Sequence, residues 1–243
     1  MKLNCDLGES FGSWTMGLDA QVMPYIDQAN IACGFHAGDP LVMQKTLELA
    51  KANNVSVGAH PGYPDLVGFG RRSMQLSPHE IESLIIYQLG ALAGICQSQD
   101  CQVSYVKPHG ALYNDMMKND QVLFAIFTAM QKFDAQMPLL MMATINNELY
   151  RQKADDFGMK VMFEAFADRA YDDQGFLVSR SVEGAVLKTP ESIISRANQL
   201  KEQGCIQSIH GKTIKMEAET LCVHGDNEHA VNMIQSLKQS LSA

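Results

Sequence analysis

Short runs rich in β-branched and apolar residues alternate along the chain with longer stretches of helical periodicity. The strand candidates are 2–7, 28–33, 55–60, 103–107, 139–143, 160–163 and 221–223. Amphipathic segments lie between most of them. The clearest is LSPHEIESLIIYQLGALAGI, in which Ser77 can N-cap, Pro78 suits the first helical position and Glu80 completes a capping box. Ile81, Leu84, Ile85, Leu89, Leu92 and Ile95 then recur at helical spacing. Asp39-Pro40 and Thr189-Pro190 read as two more helix starts. The stretch 206–219 reads as a β-hairpin about His210-Gly211-Lys212, inserted before the last strand.

Strand alternating with helix implies parallel strands joined by right-handed crossovers. About seven such units fit either a (β/α) barrel or an open doubly wound sheet. The first strand favours the barrel. Leu3, Cys5 and Leu7 alternate with Asn4 and Asp6. A strand covered by helices on both faces reads apolar on both, whereas a barrel strand can turn polar residues into the lumen. Val55, Val57 and Ala59 alternate with Ser56, Gly58 and His60 in the same way. No linker, repeat or low-complexity segment breaks the pattern, so 1–243 is expected to be one barrel domain.

Composition narrows the function classes. The chain has 243 residues, 46% of them hydrophobic, and a formal net charge of −8. It carries no Lys/Arg block, which argues against nucleic acid and anionic membrane surfaces as partners. The N-terminus lacks the apolar core of a signal peptide, and no apolar run reaches the ~18 residues of a spanning helix. Cys5, Cys33, Cys96, Cys101, Cys205 and Cys222 include no C-x-x-C pair and read as reduced thiols. A cytoplasmic protein is expected.

Polar clusters follow one strand after another: DLGES, CGFHAGD, AHPGYPD, KPHGALYND, EAFADRAY and VHGD. In a (β/α) barrel those positions meet at the C-terminal rim, where such enzymes keep their active sites. Asp6 can serve as a general base if burial raises its pKa, or as a structural carboxylate. His36, His60, His109 and His224 sit in rim loops and suit proton transfer or metal binding. Lys107 can neutralise an oxyanion or pair with Asp6. Arg71, Arg72 and Arg180 are candidate anion contacts, and Asp168-Arg169 a candidate ion pair. Glu9 can cap a loop or enter the site; Asn4, Asn30, Tyr113 and Asp226 complete the candidates. IHGKT, GFGRRS and HEIES each miss a residue of the P-loop, dinucleotide and zinc-protease motifs they imitate.

NCDLGESFG, ANIACGFHAGD, GAHPGYPDLVGFGRR, VKPHGALYN, FADRAY and CVHGD together resemble the LamB/YcsF family, over residues 4–226. The resemblance implies a seven-stranded (β/α) barrel of the glycoside hydrolase/deacetylase type. It implies ATP-dependent cleavage of 5-oxoproline to L-glutamate, in which the chain is one component, A, working with B and C subunits. ATP would then bind the partners, and this chain would add water to a phosphorylated lactam. Under that reading Asp6 and His60 activate water, Lys107 and His109 stabilise or protonate departing groups, and the arginines hold substrate. Two alternatives stand beside it: a non-catalytic partner in the complex, and metal-assisted amide hydrolysis with Asp6, His36 and His60 as ligands, in the manner of the deacetylases.

Overall fold

The computed structural model describes residues 1–179, 181–187, 189–225 and 227–242. Arg180 and Asp226, both singled out above, lie outside the described residues.

The first half runs β1 (Lys2–Leu7), α1 (Asp19–Val22), β2 (Gln28–Ala32), α2 (Pro40–Ala52), β3 (Ser56–His60), α3 (Pro78–Ser98) and β4 (Val103–Val106). It continues through α4 (Gly110–Met116), α5 (Asp120–Asp134), β5 (Leu139–Met142), α6 (Asn147–Asp155) and β6 (Val161–Phe166). Then come α7 (Pro190–Gln203), β7 (Cys205–Gln207), β8 (Thr213–Lys215), β9 (Thr220–Val223) and α8 (Glu228–Ser242). Seven strands close a barrel in the order β1-β2-β3-β4-β5-β6-β9, and β1 pairs in parallel with both β2 and β9. The barrel alternative was the right one. β7 and β8 form a separate antiparallel pair.

The helix signals act as their chemistry dictates. Ser77 accepts from the Glu80 backbone N–H while the Glu80 carboxylate returns to the Ser77 N–H. The Asp39 side chain accepts from the N–H groups of Leu41 and Val42, making it the N-cap of α2. In α3, Ile81, Leu84, Ile85, Leu89 and Leu92 are buried, each a contribution of roughly 1.5–3 kcal/mol. Ile95 is only partly covered, and Cys96 takes the buried position in the last turn.

One strand departs from expectation in a way that matters. The sixth was read as 160–163 but runs to Phe166, because Glu164, Ala165 and Phe166 pair with Thr220, Leu221 and Cys222 of β9. That extension carries Glu164 into the lumen. All six cysteines are free thiols. No helix among the described residues is long and apolar enough to cross a membrane.

Candidate active site

Alternation along the strands turns polar side chains inward, and they find one another. The Asn30 amide donates to Asn4 Oδ1 at 2.8 Å and to Asp6 Oδ1 at 2.7 Å. The Asn4 amide donates to Glu164 Oε2 and to Thr220 Oγ1, both at 3.1 Å. Tyr105 and Tyr113 donate to Asn30 Oδ1 (2.6 Å) and Glu164 Oε1 (2.7 Å). Lys107 reaches Asp6 at 2.9 Å and Glu164 at 3.1 Å. Its ammonium is almost wholly buried. Burial opposes its charge, but Asp6, Cys222 and Glu164 outweigh that and hold the group well above its ordinary range.

Asp6 behaves differently from the sequence expectation of a raised pKa. Burial does push its carboxyl upward, but the charges of His60 and Lys107 prevail and hold it well below the usual carboxylate range. It is an ionised anchor, with Oδ2 3.4 Å from His60 Nε2.

Beside this network stands a histidine cluster. His60 Nδ1 lies 2.7 Å from the Lys107 carbonyl, and His109 Nε2 lies 2.8 Å from the Phe69 carbonyl. The inner nitrogens, His60 Nε2 and His109 Nδ1, are 2.9 Å apart. His36 stacks on His109 with ring centroids 3.7 Å apart and planes 2° from parallel. Burial, together with His109 and His60, pushes His36 well below the ordinary imidazole value; burial and His60 push His109 to about 3. His109 is therefore a neutral imidazole at neutral pH and a poor source of the proton assigned to it above. Two glycines make the room. A Cβ at Gly62 would lie 2.7 Å from His36 Nδ1, and one at Gly70 would lie 2.8 Å from both His109 Cδ2 and His36 Cβ.

A cavity of about 640 Å³ opens over these groups. Asp6, Glu9, His60, Lys107, His109 and Tyr113 line it, together with Arg71, Arg169, Phe166 and His224. Asp168 hydrogen-bonds His224 Nδ1 at 3.1 Å and raises its pKa against the effect of burial. Arg169, the other member of the candidate ion pair, donates to the Val178 carbonyl. Arg71 lies over the Phe69 ring, 5.0 Å from its centroid. Arg72 is drawn away to pair with Asp65 and does not line the cavity. Asn4, Asn30 and His36 are also off the cavity wall, buried behind it.

The metal set proposed from sequence is not the one the fold assembles. Among the described residues, Glu9, His36, His60 and His109 bring one ligand atom each within 4.8 Å of one another, and Asp6 groups instead with Cys222 and His224. Glu164 and Tyr105 were missed. The signal for Glu164 was the alternation in FEAF, hidden by ending the strand too early.

The LamB/YcsF family model matches residues 1–243. The chain is similar to the 5-oxoprolinase A subunit of Pseudomonas fluorescens (strain Pf0-1), 54% identical over 240 residues, covering 99% of this chain and 96% of that protein. It is similar to the protein of that name from Vibrio parahaemolyticus, at 52% over 241 residues, 99% and 95% of the two chains. Among solved structures, the lactam utilization protein of Thermus thermophilus superposes with a TM-score of 0.93 at 38% identity, covering 100% of this chain and 96% of that one.

Proposed function

The chain belongs to the LamB/YcsF family, and from that membership we propose that it is the A subunit of an ATP-dependent 5-oxoprolinase, opening the lactam of 5-oxoproline to L-glutamate. The observation that carries this reading is the Asp6–Lys107 ion pair at the base of a cavity sized for a small molecule, in a chain similar over nearly its full length to relatives of that name.

A five-membered lactam is a poor electrophile. Transfer of the ATP γ-phosphoryl group to its carbonyl oxygen makes the ring carbon reactive. We assign that step to B and C partner subunits, since the P-loop and dinucleotide motifs are incomplete in this chain. Water then adds to the ring carbon, the C–N bond breaks with its electron pair going to nitrogen, and nitrogen takes a proton. A second water releases phosphate from the acyl phosphate so formed.

In this chain the ionised Asp6 carboxylate orients the attacking water, and the proton the water sheds passes on to the ring nitrogen rather than staying on so weak a base. Lys107 balances the negative charge that builds on the adduct. His224, kept basic by Asp168, supplies the proton to the departing nitrogen. Arg71 and Arg169 face the cavity and hold the substrate carboxylate or phosphate.

The test mixes the purified chain with B and C subunits, ATP and 5-oxoproline and measures glutamate. Asp6→Asn is expected to lower the rate by ~10²-fold or more. An unchanged rate removes Asp6 from its role. Full activity from B and C without this chain overturns the catalytic reading.

A further inference from the structure

The hydrogen bonds around the histidine cluster decide where its protons are. A carbonyl oxygen only accepts, so His60 Nδ1 and His109 Nε2, at 2.7 and 2.8 Å from the Lys107 and Phe69 carbonyls, must both carry hydrogen. In neutral rings this leaves lone pairs on His60 Nε2 and His109 Nδ1. Those two atoms face each other at 2.9 Å. Two lone pairs at that distance repel unless a cation lies between them, either a proton, which gives His60 the charge that acts on Asp6, or a metal ion in its place.

From this geometry we infer that Glu9, His60 and His109 form a binding site for one divalent transition-metal ion on the wall of the cavity. Glu9 Oε1 lies 3.6 Å from His109 Nδ1, and all three donor atoms fall within 4.8 Å of one another. With bonds of ~2.1 Å, two ligands at right angles are separated by ~3.0 Å and tetrahedral ones by ~3.4 Å; the His60–His109 spacing of 2.9 Å and the Glu9–His109 spacing of 3.6 Å lie just outside that range on either side. The planes of the His60 and His109 rings cross at 87°, so one ion can lie in both planes. Each ring is also backed by a carbonyl on its far nitrogen, the arrangement that fixes the tautomer and aim of metal-bound histidines.

His36 belongs to the same cluster but not to the ligand set. Its ring is parallel to that of His109, so no single ion can sit in the plane of both. It is fully buried, neither of its ring nitrogens has a hydrogen bond among the described residues, and Nε2 stands 3.5 Å from the same Glu9 oxygen. It acts as a wall that holds Glu9 and His109 in place. The three ligands line the cavity and His36 does not, so coordination positions stay open toward substrate. Two imidazoles and one carboxylate with open positions suit Zn²⁺, Fe²⁺, Co²⁺ or Mn²⁺. The second acidic group, Asp6 with Cys222 and His224, is already served by a cation: the Lys107 ammonium lies 2.9 Å from Asp6 and 3.3 Å from Cys222 Sγ.

Bound there, the ion supplies Lewis acidity to an oxygen brought into the cavity. That catalytic meaning rests on the hydrolase reading above; the binding does not. The experiment uses the full chain, stripped by chelator and titrated with ZnCl₂ in a calorimeter, with elemental analysis after dialysis. One ion per chain is expected, weakened ~100-fold or more by His60→Ala, His109→Ala or Glu9→Gln, while Cys222→Ser binds as the parent does. Cobalt(II) in the unmutated chain guards against variants that fail to fold. It should produce visible d–d bands and two shifted, slowly exchanging imidazole N–H resonances, from His60 Nδ1 and His109 Nε2. The proposal falls if the unmutated chain retains no ion, which would leave a proton shared between His60 and His109. It falls equally if folded variants at all three ligands bind as the parent does. A chain that binds the ion but forms no glutamate with its partners would instead overturn the lactam reading.

Discussion

At the floor of the barrel Asn4, Asn30, Lys107 and Glu164 are as deeply buried as His36, His60 and His109 at its rim, yet the two sets are built differently. The floor is closed. Asn4 donates twice and accepts twice, Asn30 reaches three partners, and Lys107 lies between two carboxylates. The rim is open. Among the described residues His36 has no hydrogen bond on either ring nitrogen, and the inner nitrogens of His60 and His109 confront each other. Buried polar groups are normally satisfied, because an unmade hydrogen bond in a dry interior costs about 1–3 kcal/mol. The contrast separates two roles: the floor fixes the Asp6–Lys107 pair in place by hydrogen bonds already made, and the rim keeps its valences for something that arrives.

Four experiments probe that contrast, in decreasing order of effect. Lys107→Met leaves the Asp6 and Glu164 carboxylates facing one another without their cation, and is expected to cost ~3–5 kcal/mol in urea unfolding. A cost below ~1 kcal/mol would mean that the floor is not a stabilising unit. Gly62→Ala drives a Cβ to within 2.7 Å of His36 Nδ1. The stack must move, so loss of about 1–3 kcal/mol is expected alongside a larger loss of cavity function. Intact metal binding and glutamate formation in that variant would show that the rim tolerates displacement. Tyr105→Phe removes only the donor to Asn30 and should cost ~1 kcal/mol with little change in turnover.

The smallest effect is a pH dependence. His224 is raised above the ordinary imidazole value, against burial, by its hydrogen bond to Asp168 and the charges of Asp168 and Asp6, with Lys107 opposing. A raised folded-state value means that its stabilisation is fully present below the unfolded-state pKa of about 6.5. It is lost as pH rises through the folded-state value. Asp168→Asn should abolish that slope and lower the His224 midpoint in an NMR titration. An unmoved midpoint would detach His224 from Asp168.

Much of the frame was legible in the chain. β1 has the bounds its alternation implies, and the α3 capping box and the Asp39 cap form as read. Local chemistry is enough for these, since a cap or a pleat involves neighbours a few residues apart. The inward turn of Asn4 and Asp6 was legible for the same reason. Glu164 was not, because the last residues of β6 are held in extended form by β9, a strand far along the chain. Arg72 looked like the twin of Arg71, and only the folded loop shows that Asp65 claims it.

Sequence alone determined which side chains would reach the C-terminal rim, because strand period and loop position follow from the order of residues. It could not determine their partners. Asp6 was free to be a raised base until Lys107 and His60, arriving from two other strand ends, set its charge. Four histidines were equivalent until closure of the barrel stacked one, faced two against each other and gave the fourth to Asp168. Those outcomes depend on separations of about 3 Å between residues as distant in sequence as Asp6 and Lys107. Only tertiary structure sets such distances, since the electrostatic and hydrogen-bond energies that decide protonation fall off within a few ångströms.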